Sequence, residues 1–145
     1  MNIRIRNEQN TDIQAIFDLT QSAFSHVEYS SHTEQFIVNA LRENNQLTLS
    51  LIAEINNQVV GHIAFSPVSI SDGATDWYGL GPISVLPEYQ ANGIGSQLIK
   101  EGLNKIKVLN AKGCVLLGDP NYYGKFSFKA DARLILEDVP ADYFQ

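Results

Sequence analysis

The residues best placed to do chemistry lie in the run Gln90-Ala91-Asn92-Gly93-Ile94-Gly95-Ser96. An apolar strand runs up to Val85, and apolar residues at Ile94, Leu98, Ile99, Leu103 and Ile106 mark a helix behind it. Two glycines where a strand hands over to a helix let backbone N–H groups approach a ligand closely. The first turn of a helix carries unpaired N–H groups and a partial positive charge, which suits a phosphate. No Asp or Glu occurs from Ala91 to Lys100, so no acidic side chain competes for that charge. The same spacing also fits an ordinary glycine-rich turn. Two nucleotide motifs are excluded. A Walker loop needs Gly-Lys-Ser/Thr after four spacers, and Leu98 stands where a dinucleotide fingerprint needs its third glycine.

Other reactive side chains are sparse. Cys114, the one cysteine, sits in the apolar run Cys114-Val115-Leu116-Leu117 and reads as a core residue. A single cysteine rules out a disulfide framework within the chain and points to a reducing, cytoplasmic setting. His62 lies within an apolar strand and reads first as a paired core histidine. His26 and His32 stand near helix ends and read as solvated. Three scattered histidines and one cysteine do not make a metal site, so none is expected.

With 145 residues, 44% of them hydrophobic and 18% charged, the chain is long enough for a real core and reads as one globular domain over 1–145. A formal net charge of −6 argues against a nucleic-acid or anionic-membrane partner. Lys105, Lys107 and Lys112 read as helix C-terminal cations. The N-terminus lacks the apolar stretch of a signal peptide, and no run approaches membrane-spanning length.

Periodicity then supplies the elements. Ile3 and Ile5 alternate with Arg4 and Arg6 as a first strand. Capping boxes at Thr11–Gln14 and Ser31–Glu34 predict the starts of two helices. Leu47 to Ile55 alternates as a half-buried strand. Asn56-Asn57 predicts a tight turn into a strand over Val59–Ile70. Ser71-Asp72-Gly73 turns again into Trp77–Val85. Gly79-Leu80-Gly81-Pro82 should break or bulge that fourth strand, because proline has no N–H and glycine weakens a ladder. The long helix should end near Asn110, with Gly113 as its left-handed terminator. Cys114–Leu117 predicts a buried strand, Tyr122–Lys125 a helical turn, and Leu134–Leu136 a last short strand. The order β-α-α-β-β-β-α-β-α-β describes a mixed α+β (α/β) sheet, mostly antiparallel.

The segment from Val85 to Gly95 resembles the acyl-CoA signature of the GNAT superfamily of N-acetyltransferases. Val85 and Pro87 match its Val-x-Pro, and Gln90, Gly93 and Gly95 match its Gln/Arg-x-x-Gly-x-Gly/Ala. The element order is also that of the family, so the resemblance covers nearly the whole chain. Tyr123-Gly124-Lys125-Phe126-Ser127-Phe128 looks like the family's Tyr-x-x-x-Gly-Phe, with Ser127 in place of glycine. Gly61–Val68, Gly79–Pro82 and Gly118–Pro120 resemble a subgroup of small, mostly uncharacterised bacterial members.

The resemblance implies acetyl transfer from acetyl-CoA, as co-substrate, to an amine. Gln90 would belong to the cofactor site as the first residue of the signature, and the pyrophosphate would rest on the amides of Ala91, Asn92, Gly93, Ile94, Gly95 and Ser96. The pantetheine arm would pair like an added strand along Ile83, Ser84 and Val85, where the fourth and fifth strands splay. The Val85 N–H would face the developing oxyanion. Tyr123 matches the family's general acid, with Tyr122 as fallback, since a phenol is protonated at neutral pH. The base stays open among Glu54, His62 and a water chain, because Trp77 to Pro87 contains no acid. The same fold could instead be a non-catalytic acyl-CoA-binding or sensor module. The family's sheet usually closes with a hairpin. Only nine residues, among them Pro140, follow Leu136 here, so the closing strand should be missing or very short. An edge left open would favour a homodimer or an open acceptor side.

Overall fold

The computed structural model describes residues 2–28 and 30–145. Five strands form one sheet in the order β1-β2-β3-β4-β5: Arg4–Asn7, Leu49–Ile55, Gln58–Pro67, Trp77–Val85 and Gly113–Val115. The first four are antiparallel neighbours, and β5 runs parallel to β4. Helices α1 (Ile13–Phe24) and α2 (Glu34–Glu43) precede β2. Helix α3 (Ile94–Val108) crosses from β4 to β5, as a parallel pair requires, and the short α4 (Pro120–Tyr123) follows. This is the mixed, mostly antiparallel sheet expected from the sequence.

The strand pleat divides the core. Leu51, Ala53, Ile63 and Phe65 pack with Leu80 and with Ile94, Leu98, Ile99 and Ile106 of α3. Their alternate neighbour Ile52 packs with Ile16 of α1 and Val38 of α2. Each fully buried Leu, Ile, Val or Phe among them contributes about 1.5–3 kcal/mol.

Two irregularities shape β4. Ile63 faces Ile83 but Phe65 faces Leu80, so Gly81 and Pro82, joined by a cis peptide bond, stand against Ala64 alone. This is the bulge that Gly79–Pro82 foretold. Pairing of β4 with β5 is confined to Trp77–Gly79 and Gly113–Val115. Beyond Gly79 the two strands splay.

Several boundaries differ from the sequence reading. Helix α1 is preceded by Asp12 accepting from the Gln9 N–H (2.7 Å), not by a Thr11 cap. Near α2, Ser30 rather than Ser31 engages the Glu34 carboxylate (2.7 Å). Helix α3 ends on Asn110 in the left-handed conformation (φ 66°), and the Ala111 N–H reaches back to the Ile106 carbonyl. Gly113 instead opens β5, where the Trp77 ring leaves no room for a Cβ. Leu134–Leu136 forms no strand. Asp131 and Arg133 fold this segment into a local turn, and Ile135 stays 79% exposed. The edge beside Leu116–Gly118 is taken by Tyr143–Gln145: Leu117 bridges Phe144, and Leu116 and Gln145 exchange both backbone hydrogen bonds. The closing strand is thus present but very short. Among the described residues, no helix is long and apolar enough to cross a membrane.

Candidate active site

The splay of β4 from β5 opens a cleft of about 460 Å³. Ile83 and Val85 form one wall. Gln90, Ala91 and the start of α3 at Gly93–Ser96 form its end. Tyr122, Tyr123 and Lys125 close the other side.

The glycine turn is braced from within. Gln90 Nε2 donates to the Val85 carbonyl (3.1 Å). Asn92 Nδ2 donates to the carbonyls of Tyr89 and Gln90 (both 3.1 Å). Gly93 caps α3 with φ 81°, a conformation that costs a side-chain-bearing residue about 1–2 kcal/mol. The first helical bond of α3 is Gln97 N–H to the Gly93 carbonyl, so the N–H groups of Ile94, Gly95 and Ser96 have no helical partner. Gly95 needs its lack of a side chain for another reason. A Cβ there would stand 3.2 Å from the Tyr122 hydroxyl and 3.9 Å from a Val85 methyl, inside the cleft. An open row of amides with no acid in the first turn of α3 fits an anionic phosphate group.

The opposite wall is built locally. Asp119 caps α4 by accepting from the Asn121 N–H (2.9 Å), and Pro120 starts the helix. The rings of Tyr122 and Tyr123 meet edge to face at 4.9 Å, and Tyr123 packs against Phe128. The Tyr123 ring also lies where a Cβ on Gly118 would be. Burial, with a smaller contribution from Tyr122, pushes the Tyr123 phenol up to about 12. It therefore stays protonated and able to donate at neutral pH.

Of the residues anticipated for the cofactor side, Ser84 and Asn92 do not line the cleft. Ser84 is 2% exposed, and only its main chain belongs to the cleft strand. Asn92 serves the turn through its own hydrogen bonds. Tyr89 and Lys125 line the cleft without having been anticipated. Lys125 holds Nζ 4.4 Å from the centre of the Tyr122 ring, adding positive charge at the cleft. Its signal in the sequence was only its place two residues after Tyr123.

The base candidates stand apart from the cleft lining. Glu54 is 8% exposed and ion-paired with Arg6 (3.3 Å) and Arg4 (3.6 Å). His62 is fully buried, with Nε2 2.8 Å from Ser50 Oγ, and burial lowers its pKa to about 4. Burial likewise pushes the Cys114 thiol up to about 12, which fits a packing residue and not a nucleophile. Among the described residues no group of three or more His, Cys, Asp or Glu gathers as a metal site.

Comparison with known proteins agrees with this geometry. Residues 13–123 match the acetyltransferase (GNAT) family. The chain is 37% identical over 106 residues to the uncharacterized N-acetyltransferase YhbS of Escherichia coli K12. That match covers 72% of this chain but 64% of the relative, so the chain spans just under two thirds of the curated protein. A crystal structure of a GNAT family acetyltransferase from Brucella melitensis in complex with acetyl-CoA superposes with a TM-score of 0.87 and 48% identity, covering 99% of this chain and 94% of the other. YhbS from Escherichia coli in complex with CoA superposes with a TM-score of 0.90 and 32% identity, covering all of this chain and 80% of the other.

Proposed function

The chain belongs to the acetyltransferase (GNAT) family, and from that premise we propose that it moves an acetyl group from acetyl-CoA to a primary amine by direct attack. The observation that carries this reading is the cleft itself. A splayed strand pair leads to a row of unpaired amides at Ile94–Ser96, with no acid to repel a pyrophosphate. The Brucella melitensis relative, 48% identical, holds acetyl-CoA.

In this reading the amides around Gly93 and Gly95 hold the pyrophosphate, and Lys125 adds charge. The β4 backbone at Ile83–Val85 pairs with the peptide-like pantetheine arm. The amine nitrogen forms a bond to the thioester carbonyl carbon, and the carbon–sulfur bond breaks. The Val85 N–H faces the oxyanion that develops. Tyr123 gives its hydroxyl hydrogen to the departing sulfur and regains one from water, and the proton that the amine loses passes to water in turn. The protein acts in the cytoplasm, consistent with its single free cysteine. A homodimer would cover the sheet edge that the single Leu117–Phe144 bridge only partly closes.

One observation favours a second reading, an acyl-CoA-binding module without catalysis: β4 carries no acid to act as base. Thiol release from acetyl-CoA, followed across a panel of primary amines at neutral pH, separates the two. Amine-dependent release establishes the transferase. Tight acetyl-CoA binding with no release from any amine leaves the binding module. Light scattering across a concentration series checks the dimer, and a strict monomer would end that part of the reading.

A further inference from the structure

The cleft carries charge at one point. Among the described residues that line it, only Lys125 is charged, and its charge is positive in a chain whose formal net charge is −6. Lys125 is exposed, and among the described residues no carboxylate forms an ion pair with it. Lys129, the next cation along the chain, does not line the cleft and acts on Asp131 instead.

What holds Lys125 is an aromatic ring. Its Nζ stands 4.4 Å from the centre of the Tyr122 ring, whose π face attracts a cation. The ring is itself held, meeting Tyr123 edge to face at 4.9 Å and Phe126 at 5.7 Å. At the far end of the same ring, the Tyr122 hydroxyl lies 3.2 Å from the place a Cβ on Gly95 would take. One side chain therefore spans from the ammonium to the first turn of α3. An ammonium has three donors and no acceptor. The ring engages one side of it and leaves the remaining donors to the cleft.

Magnitudes show why a second positive group is needed there. The start of α3 supplies roughly half an elementary positive charge. A diphosphate brings a full negative charge on each of its phosphates. The amides of Ile94–Ser96 can orient such a group but leave most of its charge unbalanced, and withdrawing that charge from water is costly without a cation. A lysine ammonium is a compact point charge suited to a phosphate oxygen.

We propose that Tyr122 and Lys125 work as one unit that recognises a phosphate group of the acyl carrier: the ring seats the ammonium, and the ammonium contacts the phosphate. This rests on the acetyl-CoA reading and adds to it the residue that sets the choice of carrier, CoA over a thioester of bare pantetheine. It also divides the two neighbouring tyrosines. Tyr123, packed against Phe128 and the Gly118 backbone, keeps the role of acid at the sulfur. Tyr122 is a positioning residue for Lys125. The phosphate is one of the diphosphate pair or the ribose 3′-phosphate, and a ligand lacking the 3′-phosphate separates these sources.

Calorimetry on the full chain with CoA tests the unit without any turnover. Lys125→Met keeps an apolar stem, removes the charge, and at an exposed position should fold as the wild type does. CoA affinity should fall roughly 10-fold, the loss of one hydrogen bond to a charged group. Its decline with added salt should become shallower. Lys125→Arg should keep most of the affinity. With acetyl-CoA as substrate, Lys125→Met should raise KM by a larger factor than it lowers kcat, and kcat/KM should fall far more than it does for S-acetylpantetheine, which carries no phosphate. With dephospho-CoA, a Lys125→Met loss of the same size assigns the contact to the diphosphate, and no loss assigns it to the 3′-phosphate. The Lys125→Met loss should persist in a Tyr122→Phe background, which keeps the ring, and shrink in a Tyr122→Leu background, which removes it. A Lys125→Met protein with wild-type CoA affinity and salt dependence overturns the proposal, and so does a Lys125→Arg protein that binds no better than Lys125→Met. An undiminished loss in the Tyr122→Leu background overturns the role of the ring. A wild-type chain that binds no CoA instead overturns the acetyl-CoA reading, and the unit with it.

Discussion

The Tyr122 hydroxyl stands 3.2 Å from the place where a Cβ on Gly95 would project, so the two residues face one another across the narrow part of the cleft. Any side chain at position 95 competes for that gap with whatever the cleft binds. The Gly95 backbone is an ordinary helical one, since the positive-φ glycines are Gly73, Gly81 and Gly93. Binding and folding can therefore be separated at this position.

Gly95→Ala is expected to leave the melting temperature unchanged or slightly raised, because alanine favours helix over glycine by up to about 1 kcal/mol. Acetyl-CoA affinity should fall roughly 10- to 100-fold, the loss of one hydrogen bond to a charged group. Gly95→Val should weaken binding further. Calorimetry on folded protein checks both. Undiminished affinity in Gly95→Val would remove the phosphate site from this turn.

Gly93 behaves differently. Its φ of 81° is left-handed, and nothing lies within 4 Å of a Cβ built there. The cost of Gly93→Ala is thus backbone strain alone, about 1–2 kcal/mol. Gly93→Asn should cost less, since asparagine tolerates this conformation. Urea titrations of the three proteins order them, and equal stabilities would refute the strain argument.

Tyr123→Phe is expected to lower turnover on the order of 10²-fold with acetyl-CoA affinity nearly intact, because a general acid acts in the transition state. The phenol's pKa near 12 keeps it protonated, so wild-type activity should show no loss from Tyr123 ionisation between pH 7 and 10. Tyr122→Phe serves as the comparison. If it alone reduces turnover, the acid is Tyr122, whose hydroxyl lies nearer Gly95.

Acid stability should follow His62. Its folded pKa of about 4 lies below the ordinary 6.5 because burial disfavours the charged ring. The unfolded chain therefore binds a proton that the folded chain refuses, and stability should fall as pH drops from 6.5 to 4. The full loss from this group is about 3 kcal/mol. Denaturant midpoints at several pH values in wild type and His62→Gln check this: the slope in that window should flatten in the variant. A variant with the wild-type slope would assign acid sensitivity elsewhere.

Ser127 occupies a left-handed conformation (φ 71°) with its side chain exposed. Ser127→Gly should relieve that strain and raise stability by about 1 kcal/mol. A lower melting temperature for Ser127→Gly would show that the serine is held for a contact rather than tolerated.

The local features were legible in the sequence. Period-2 and period-3.6 patterns marked the first four strands and α1–α3, and Asn56-Asn57, with φ of 50° and 66°, made the turn its residue types favour. The Gly79–Pro82 bulge and the Gly93 cap follow from what glycine and proline allow the backbone near them. What the tertiary structure alone decided depends on residues far apart in the chain. Helix α3 ended near Asn110 as its pattern indicated, but the left-handed residue after it is Asn110 and not Gly113, which was taken up by the Trp77 ring, a contact with another strand. The sheet edge went to Tyr143–Gln145 rather than Leu134–Leu136, because the backbone groups of Leu116 and Gly118 found partners there. Glu8, Arg42, Ser50 and His62 come from a loop, a helix and two strands, and no spacing along the chain links them. Periodic burial leaves a pattern within each element, whereas a contact between elements has no local signature until the chain folds and brings them together.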